Sequence, residues 1–417
     1  MSTQADSKAQ TVWRRRVFYI PGYDPIHPRR YRELYRKEGA AQAAISGYEI
    51  ALSPKTTKGP YGWHVSATMG GQKVQTDVEA LVWSDIVRDS MSHTIPATYG
   101  ALLRTAWAYI GTGALWRLMR LRKGPVIAAL YPVLMLLVQA LLALGAGFGL
   151  WRGVTALAAC CAPSVAGAAP YLGLVLGLGV AWGLLHWFKK QDSKFFAYYL
   201  MHDYAYSARH RGGNPPELEA RMAAFGEQIA EALTQAFDEV LVVGHSSGAH
   251  LGVSILADLI RAGRVPAQGP ELSFLSLGQV VPMVSFLPKA WRLRADLAFL
   301  SQREELAWVD VTAPGDGCAF ALCDPVKVSG VGCEGQRWPL VISAAFTQSL
   351  SAARWKELRW RFFRLHFQYL CAFDRPKDYD YFQITAGPLT LGARYDGRGA
   401  SRSRIETAVN KFRSVVP

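Results

Sequence analysis

The stretch that decides the fold is Val240-Leu241-Val242-Val243-Gly244-His245-Ser246-Ser247-Gly248. Its first four residues form a short apolar and mostly β-branched run, which is typical of a strand buried on both faces. Residues 249–260 then have helical spacing of apolar side chains. A strand that turns sharply into a helix lifts the side chain at the turn away from the backbone, and the flanking glycines leave room for it. Ser246 is therefore the candidate nucleophile.

This order of strand, G-x-S-x-G and helix resembles the nucleophile elbow of the α/β-hydrolase superfamily. The resemblance implies an α/β fold, with a mostly parallel sheet flanked by helices, and a serine hydrolase of the esterase or lipase kind. It also implies an oxyanion hole made by the N–H of Ser247 and an N–H from an earlier strand-to-loop turn. A glycine-rich turn of another doubly wound protein is the alternative.

The earlier turn is predicted after the strand Val17-Phe18-Tyr19-Ile20, which ends in Pro21-Gly22-Tyr23. By the same resemblance, Gly22 or Tyr23 would supply the second oxyanion N–H. This turn departs from the His-Gly pattern of many relatives, so both donors stay open. An ordinary strand-to-loop turn is the competing interpretation.

The acid of the triad in this superfamily follows the nucleophile and lies on a loop after a late strand. Residues 306–311 are a predicted strand, and they run into Thr312-Ala313-Pro314-Gly315-Asp316-Gly317. Asp316 matches the loop position best. Asp310, inside the strand, and Asp324 are the alternatives, and all three could instead form turns or helix caps.

The base is sought among the histidines that follow Ser246, which are His250 and His366. His250 belongs to the helix that positions the serine, so we expect it to pack on the sheet or reach solvent. His366 follows the candidate acid, as the chain order Ser, Asp, His requires. The predicted triad is Ser246, Asp316 and His366.

A long apolar insertion separates the early strands from the elbow. Residues 126–151 carry no formal charge over 26 positions, and a spanning helix needs about 20. A second run, about residues 168–188, is long enough to span as well. Before them, residues 98–121 form an aromatic, arginine-rich amphipathic stretch that could lie along a membrane surface. The sequence predicts an inserted two-helix transmembrane hairpin. Three G-x-x-x-G spacings would allow close helix approach, at Gly145 and Gly149, Gly173 and Gly177, and Gly179 and Gly183.

The domain organisation follows from this insertion. We expect a disordered N-terminus over residues 1–11 and a hydrolase domain in two parts, 12–90 and 195–417, around an insertion at 91–194. Basic residues flank the two spans, whereas the loop between them carries only Arg152. Positive charge stays inside, so the prediction is a multi-pass protein of the inner (cytoplasmic) membrane with its catalytic domain on the cytoplasmic side. We interpret it as a membrane-anchored hydrolase of bacterial type.

The N-terminal part has several further predicted elements. A helix is predicted over residues 29–46 and strands over 48–52, 63–69 and 74–76, with Gly70-Gly71 turning a hairpin. Residues 80–83 are predicted as one more strand.

The net charge limits which classes of partner the protein can bind. The formal net charge is +14 over 417 residues, and no zinc-finger, helix-turn-helix or RNA-binding signature accompanies it. An anionic membrane surface is therefore favoured over nucleic acid. No phosphate loop or C-x-x-C spacing occurs, so neither a cofactor nor a metal is predicted. The expected substrate is an acyl ester, possibly a lipid. An acyltransferase with the same triad and a non-catalytic membrane scaffold are the alternative functions.

Overall fold

The computed structural model describes residues 11–56, 58–91, 94–162, 164 and 166–417. Within this part of the chain, eight strands form one sheet. In chain order they are β1 (Arg14–Ile20), β2 (Glu49–Pro54), β3 (Gly62–Met69), β4 (Gln72–Ala80), β5 (Glu239–His245), β6 (Glu271–Leu277), β7 (Leu306–Thr312) and β8 (Leu340–Ser343). The predicted α/β class, with helices flanking the sheet, is confirmed.

The sheet is mostly parallel, as predicted. Its spatial order is β2-β3-β4-β1-β5-β6-β7-β8. From β4 to β8 every neighbouring pair is parallel, and only β3 runs antiparallel to both of its neighbours. Strand β5 lies between β1 and β6 and is buried along its whole length, as its apolar run requires. The carboxyl ends of β1, β5, β6 and β7 consequently meet at one edge of the sheet, where side chains from distant parts of the chain can meet.

Helices fill the connections. They are α1 (Arg29–Ser46), α2 (Ser84–Ser90), α3 (Ile95–Gly111), α4 (Ala114–Leu121), α5 (Lys123–Cys161), α6 (Ala169–Lys190), α7 (Asp192–Phe195), α8 (Ala197–Arg209), α9 (Pro216–Leu233), α10 (Ser247–Arg261), α11 (Val281–Ser285), α12 (Trp291–Leu300), α13 (Pro325–Val328), α14 (Phe346–Ser349), α15 (Ala352–Leu358), α16 (Phe362–His366), α17 (Tyr381–Ala386) and α18 (Leu391–Arg394). Helix α10 packs against β5, α9 and α12. That packing explains why eleven of the fifteen residues of α10 are buried and why nearly all of these are apolar or glycine.

The chain forms two compact units. The first comprises Met1–Arg88, Tyr109–Val126 and His210–Pro417, and it contains the whole sheet. The second comprises Asp89–Ala108 and Ile127–Arg209. Sequence reasoning placed the corresponding boundaries at residues 91 and 194. The difference arises because α4 belongs to the sheet-containing unit and α8 to the other.

A buried ion pair ties the two central strands together in the first unit. Arg15 of β1 and Glu239 of β5 are both fully buried, and Arg15 Nε donates to Glu239 across 2.5 Å. The remaining guanidinium nitrogens of Arg15 donate to the carbonyl oxygens of Gly387 and Leu389. Each charged group is therefore compensated, as a buried ion pair requires. The same bonds join the segment at Gly387 and Leu389 to the amino ends of β1 and β5.

In the second unit, α5 and α6 have the length and apolarity of membrane-spanning helices. Only 28% of the most apolar 18-residue stretch of α5 and 17% of that of α6 are buried in the protein, whereas the core helices of soluble proteins are mostly buried. The two helices approach closely, because a Cβ on Gly147 would lie 2.5 Å from the carbonyl oxygen of Gly177. The G-x-x-x-G spacings point to this contact only in part, since Gly145 and Gly149 face open space and Gly147 makes the approach.

Several predicted boundaries are corrected. Residues 80–83 are not a separate strand, since β4 continues from Gln72 to Ala80 and the next three residues lead into α2. The amphipathic stretch at 98–121 falls in two helices, because Gly113 adopts a left-handed φ of 74° and separates α3 from α4. Residues 1–10 of the predicted disordered terminus lie outside the described residues, whereas Thr11 forms a β-bridge with Leu389.

Candidate active site

Ser246 occupies the sharp turn between β5 and α10. Its backbone has φ of 57° and ψ of −120°, a conformation that costs a non-glycine residue about 1–3 kcal/mol. Glycines make the turn possible, because a Cβ on Gly244 would lie 2.6 Å from the carbonyl oxygen of Gly248. The Ser246 N–H donates to the carbonyl oxygen of Leu277 at the end of β6 across 2.9 Å. The turn is thus held in its strained conformation by the neighbouring strand.

The turn after β1 lies directly against this serine. A Cβ on Gly22 would lie 2.9 Å from Ser246 Cβ and 3.3 Å from Ser246 Oγ. The turn is anchored by Trp83 Nε1, which donates to the carbonyl oxygen of Pro21 across 3.0 Å. It is also anchored by Asp24, which accepts a hydrogen bond from the Tyr31 hydroxyl. Only a residue without a side chain fits at position 22.

The predicted oxyanion donors lie in the two turns that meet at Ser246. Ser247 is the first residue of α10, and the first N–H groups of a helix have no partner within it. The structure brings Gly22 against Ser246 and places Tyr23 one residue further along the turn, its ring packed edge-on against Trp83 at a centroid distance of 6.0 Å. Which of Gly22 and Tyr23 completes the hole stays a prediction.

Asp316 and His366 form a buried hydrogen-bonded pair. Asp316 Oδ2 and His366 Nδ1 lie 2.7 Å apart, although 50 residues separate them in sequence. The Asp316 carboxylate also accepts from the Tyr369 hydroxyl at 3.0 Å and from the N–H of Cys318 at 2.9 Å. The structure therefore brings together the predicted acid and the predicted base.

The electrostatics of the pair set its tautomer. Burial alone would raise the pKa of the Asp316 carboxyl, but the attraction of His366 and the hydrogen bonds from His366, Cys318 and Tyr369 hold that pKa below its usual value. The carboxylate is ionised and accepts the proton of Nδ1, so Nε2 is left as the basic nitrogen. His366 Nε2 is buried and makes no hydrogen bond within the described part of the chain.

His366 lies against both the elbow and the carboxyl end of β6. Its ring lies 4.8 Å, centroid to centroid, from the ring of His245, the residue before the candidate nucleophile. A Cβ on Gly278, the residue after Leu277, would lie 3.0 Å from His366 Cε1. Ser246 and His366 therefore both border the carboxyl end of β6. Among the described residues no hydrogen bond joins their side chains, and such bonds often tighten only when substrate is bound.

The alternative acids have other partners. Asp310 is buried in β7 and accepts from Ser276 Oγ across 2.6 Å. Its pKa is raised to about 8, chiefly because burial disfavours the charged form. Asp324 is the N-cap of α13 and accepts from two N–H groups of that helix. His250, the alternative base, lies one turn into α10. In the described part of the chain it forms no hydrogen bond with Asp310 or Asp324.

Sequence reasoning missed two residues that support the pair. The Tyr369 hydroxyl donates to Asp316 and accepts from the N–H of Ala313 at 2.9 Å, so it connects the carboxylate to the loop that carries it. His245 Nε2 donates to the carbonyl oxygen of His366 across 3.0 Å. Burial, followed by the proximity of His366, lowers the pKa of His245 to about 3, so this second histidine stays neutral. Position within G-x-S-x-G was the only sequence signal for His245.

Three side chains at this site are of types that can bind a metal ion. Ligand atoms of Asp316, Cys318 and His366 lie within 4.8 Å of one another, and zinc accepts carboxylate, thiolate and imidazole ligands. Both carboxylate oxygens of Asp316 already accept hydrogen bonds, however, and Nδ1 of His366 donates one of them. The donor set fits a charge-stabilised acid–base pair better than a metal centre.

No family model, curated protein or solved structure matches the chain. The function is therefore inferred from the geometry of these residues.

Proposed function

We propose that the protein is a serine hydrolase of the α/β-hydrolase type that cleaves an acyl ester. The single observation that carries the proposal is the Asp316–His366 hydrogen bond of 2.7 Å, which leaves Nε2 unpartnered among the described residues beside the strained Ser246 turn. A fixed acid–base pair next to a serine on a strand-to-helix turn is the arrangement that activates a hydroxyl nucleophile.

The chemistry follows from the positions of the groups. Ser246 Oγ attacks the ester carbonyl carbon while its proton passes to His366 Nε2, and Asp316 stabilises the imidazolium that results. The N–H groups of Ser247 and of Gly22 or Tyr23 stabilise the oxyanion. His366 then returns the proton to the leaving alkoxide, and the C–O bond of the ester breaks. Water repeats these steps on the acyl-enzyme, which releases the acid and restores the serine.

The proposed substrate class is a lipid or long-chain acyl ester at a membrane. Helices α5 and α6 support membrane anchorage, since they are long and apolar enough to span and are largely exposed in the protein. The basic residues that flank them favour a cytoplasmic position for both ends of the pair.

Covalent labelling of the full chain in detergent by a fluorophosphonate tests the reaction. Wild type should form a stable adduct, Ser246→Ala should form none, and His366→Ala should react about 10²- to 10⁴-fold more slowly. His250→Ala is the matched control and should label like wild type. Absence of labelling in a folded wild-type sample would refute the proposal.

Substrate class needs a separate comparison. Hydrolysis of membrane phospholipid or acylglycerol esters at a higher rate than short soluble esters is the expected result. Good turnover of soluble esters with no action on any membrane lipid would contradict the lipid assignment. Product analysis with an added alcohol acceptor would reveal acyl transfer in place of hydrolysis.

A further inference from the structure

An exposed segment of alternating arginine and aromatic residues leads into the candidate base. Six consecutive exposed residues, 359–364, lie between the buried Leu358 and Leu365, and His366 follows immediately. The segment reads Arg359-Trp360-Arg361-Phe362-Phe363-Arg364. We call it the arginine–aromatic segment. Trp360 is 73% exposed and Phe362 is 47% exposed, although large aromatic side chains normally bury most of their surface.

The aromatic rings and the charges of this segment form one surface. The Arg359 guanidinium lies over the Trp360 ring at 5.5 Å, and the rings of Trp360 and Phe362 are 6.5 Å apart. Glu357 forms ion pairs with Arg361 and Arg364, at 3.6 Å and 3.5 Å. Arg359 forms no ion pair within the described residues. A single carboxylate thus faces several arginines, and the surface stays positive.

The segment is attached to the loop of the candidate acid. A Cβ on Gly317, the residue after Asp316, would lie 3.1 Å from the Phe362 ring. Gly317 also adjoins the first turn of α5, since a Cβ on Gly124 would lie 3.4 Å from the Gly317 Cα. Gly124 follows the exposed Lys123, and the chain leaves the sheet-containing unit two residues later, at Val126. The acid loop therefore contacts both the arginine–aromatic segment and the start of an apolar helix.

We propose that the arginine–aromatic segment docks on an anionic lipid bilayer and holds the loop of Asp316 at the headgroup layer. This inference rests on the proposed function, because it identifies the physical form in which the ester substrate is met. Two observations select lipid as the occupant. The positive surface is complementary to anionic headgroups, and it is continuous through Gly317 with the beginning of a helix of membrane-spanning length. Tryptophan and arginine are the side chains that settle at the bilayer interface.

Docking explains why the aromatic residues are exposed beside a catalytic loop. Trp360 and Phe362 would leave water for the interfacial region, where the ester groups of lipids lie, while the arginines would pair with phosphates. The lipid ester would then reach Ser246 without crossing bulk water. Phe362 contacts Gly317, so the segment and the acid loop would meet the bilayer together.

Hydrogen exchange on the full chain in lipid nanodiscs tests docking without relying on catalysis. Wild type is compared in nanodiscs of phosphatidylglycerol and of phosphatidylcholine. Amides of residues 352–366 should exchange more slowly in the anionic discs, and the difference should shrink at high salt. Amides of residues 398–404 serve as the internal control and should exchange equally in both.

The matched variants remove equal charge at two places. Arg359→Gln/Arg361→Gln/Arg364→Gln should lower the ratio of docked to undocked protein by roughly fivefold for each arginine removed. The control variant Arg398→Gln/Arg402→Gln/Arg404→Gln changes the net charge by the same amount. Arg398 and Arg404 line a cavity with Ala307 and Leu340, at the start of β7 and β8, whereas the candidate site lies where the strands end. The control variant should therefore leave the protection of residues 352–366 unchanged.

Equal exchange of residues 352–366 in both kinds of disc would overturn the proposal and would favour a protein partner for the segment. Because this comparison uses wild type, it holds even if a variant fails to fold. Fluorophosphonate labelling on the same discs separates the two proposals. Lipid-dependent protection without labelling would support the docking surface and refute the hydrolase. Labelling without such protection would support the hydrolase and refute the docking surface.

Discussion

His245 Nε2 donates a hydrogen bond to the backbone carbonyl oxygen of His366 across 3.0 Å. This contact joins the residue before the candidate nucleophile to the candidate base, which lies 121 residues later in the chain. The other ring nitrogen of His245 lies 3.4 Å from the Tyr19 hydroxyl of β1. The orientation of His366 is thus set from two sides, by Asp316 at the ring and by His245 at the backbone.

Replacing His245 should therefore slow the reaction without removing a reacting group. In His245→Phe an aromatic ring is kept and the donor to the His366 carbonyl is lost, and one such hydrogen bond is worth about 0.5–1.5 kcal/mol. We expect fluorophosphonate labelling to slow by roughly 2- to 10-fold if that energy is felt in the transition state. A labelling rate equal to that of wild type in a folded variant would show that the contact has no positioning role. His250→Phe, which removes a histidine of α10 instead, is the control.

Asp316→Asn should be far more damaging than its size suggests. The amide cannot act as an anionic acceptor for both His366 and Tyr369, and the histidine is free to adopt the wrong tautomer. We expect labelling to fall by about two to four orders of magnitude. In wild type the pKa of Asp316 is held below its usual value, so its contribution to stability is complete above pH 4 or so and is lost as pH falls through the lowered folded pKa. Retained activity in Asp316→Asn, with loss in Asp310→Asn, would reassign the acid.

Asp310 should have the opposite effect on stability. Its folded pKa is raised to about 8, so the folded state keeps a proton that the unfolded chain releases near pH 4. The unfolded state then binds fewer protons, and the free energy of unfolding should fall by up to about 1.4 kcal/mol per pH unit between pH 4 and 8 from this group. Asp310→Asn keeps an acceptor for Ser276 and removes that slope. When the free energy of unfolding is measured from pH 5 to pH 8, the stability of the variant relative to wild type should increase as pH rises. Parallel curves for the two proteins would contradict the raised pKa.

Glu239→Ala should destabilise the sheet-containing unit. It leaves the fully buried Arg15 guanidinium without its carboxylate, a change that typically costs about 3–5 kcal/mol. Thermal unfolding in detergent should show a clear decrease in melting temperature. Glu227→Ala breaks the exposed pair with Arg264 and should change the melting temperature little. Similar results for the two variants would mean that the buried pair is not structurally important.

Gly22→Ala tests the turn beside the nucleophile. The added methyl group would lie 2.9 Å from Ser246 Cβ, too close without movement of one of the two turns. We expect slower labelling with the secondary structure retained, because the turn carries a predicted oxyanion donor. Gly47→Ala is a useful comparison, since nothing lies within 4 Å of a Cβ there, although its left-handed φ of 73° adds local strain. Normal labelling of Gly22→Ala would show that the turn tolerates a side chain at this position, contrary to the close approach of Gly22 to Ser246.

Local sequence determined several features by itself. The strand, glycine, serine and helix at residues 240–260 are specified by neighbours in the chain, because apolar run length, helical spacing and glycine at a sharp turn are all local properties. The two long apolar helices were predictable for the same reason. Their ends were not, since α5 continues to Cys161, ten residues beyond the predicted end.

Only the tertiary structure decided which of these residues meet. Loop placement favoured Asp316, but Asp310 and Asp324 stayed open until burial and hydrogen bonding assigned each carboxylate a different partner. His245 ends β5 and Tyr369 lies in a short helical turn after α16, and both reach the pair only because the chain folds back to the edge where β1, β5, β6 and β7 end. Contacts between residues far apart in the chain depend on sheet register and packing, and no short window of sequence contains that information.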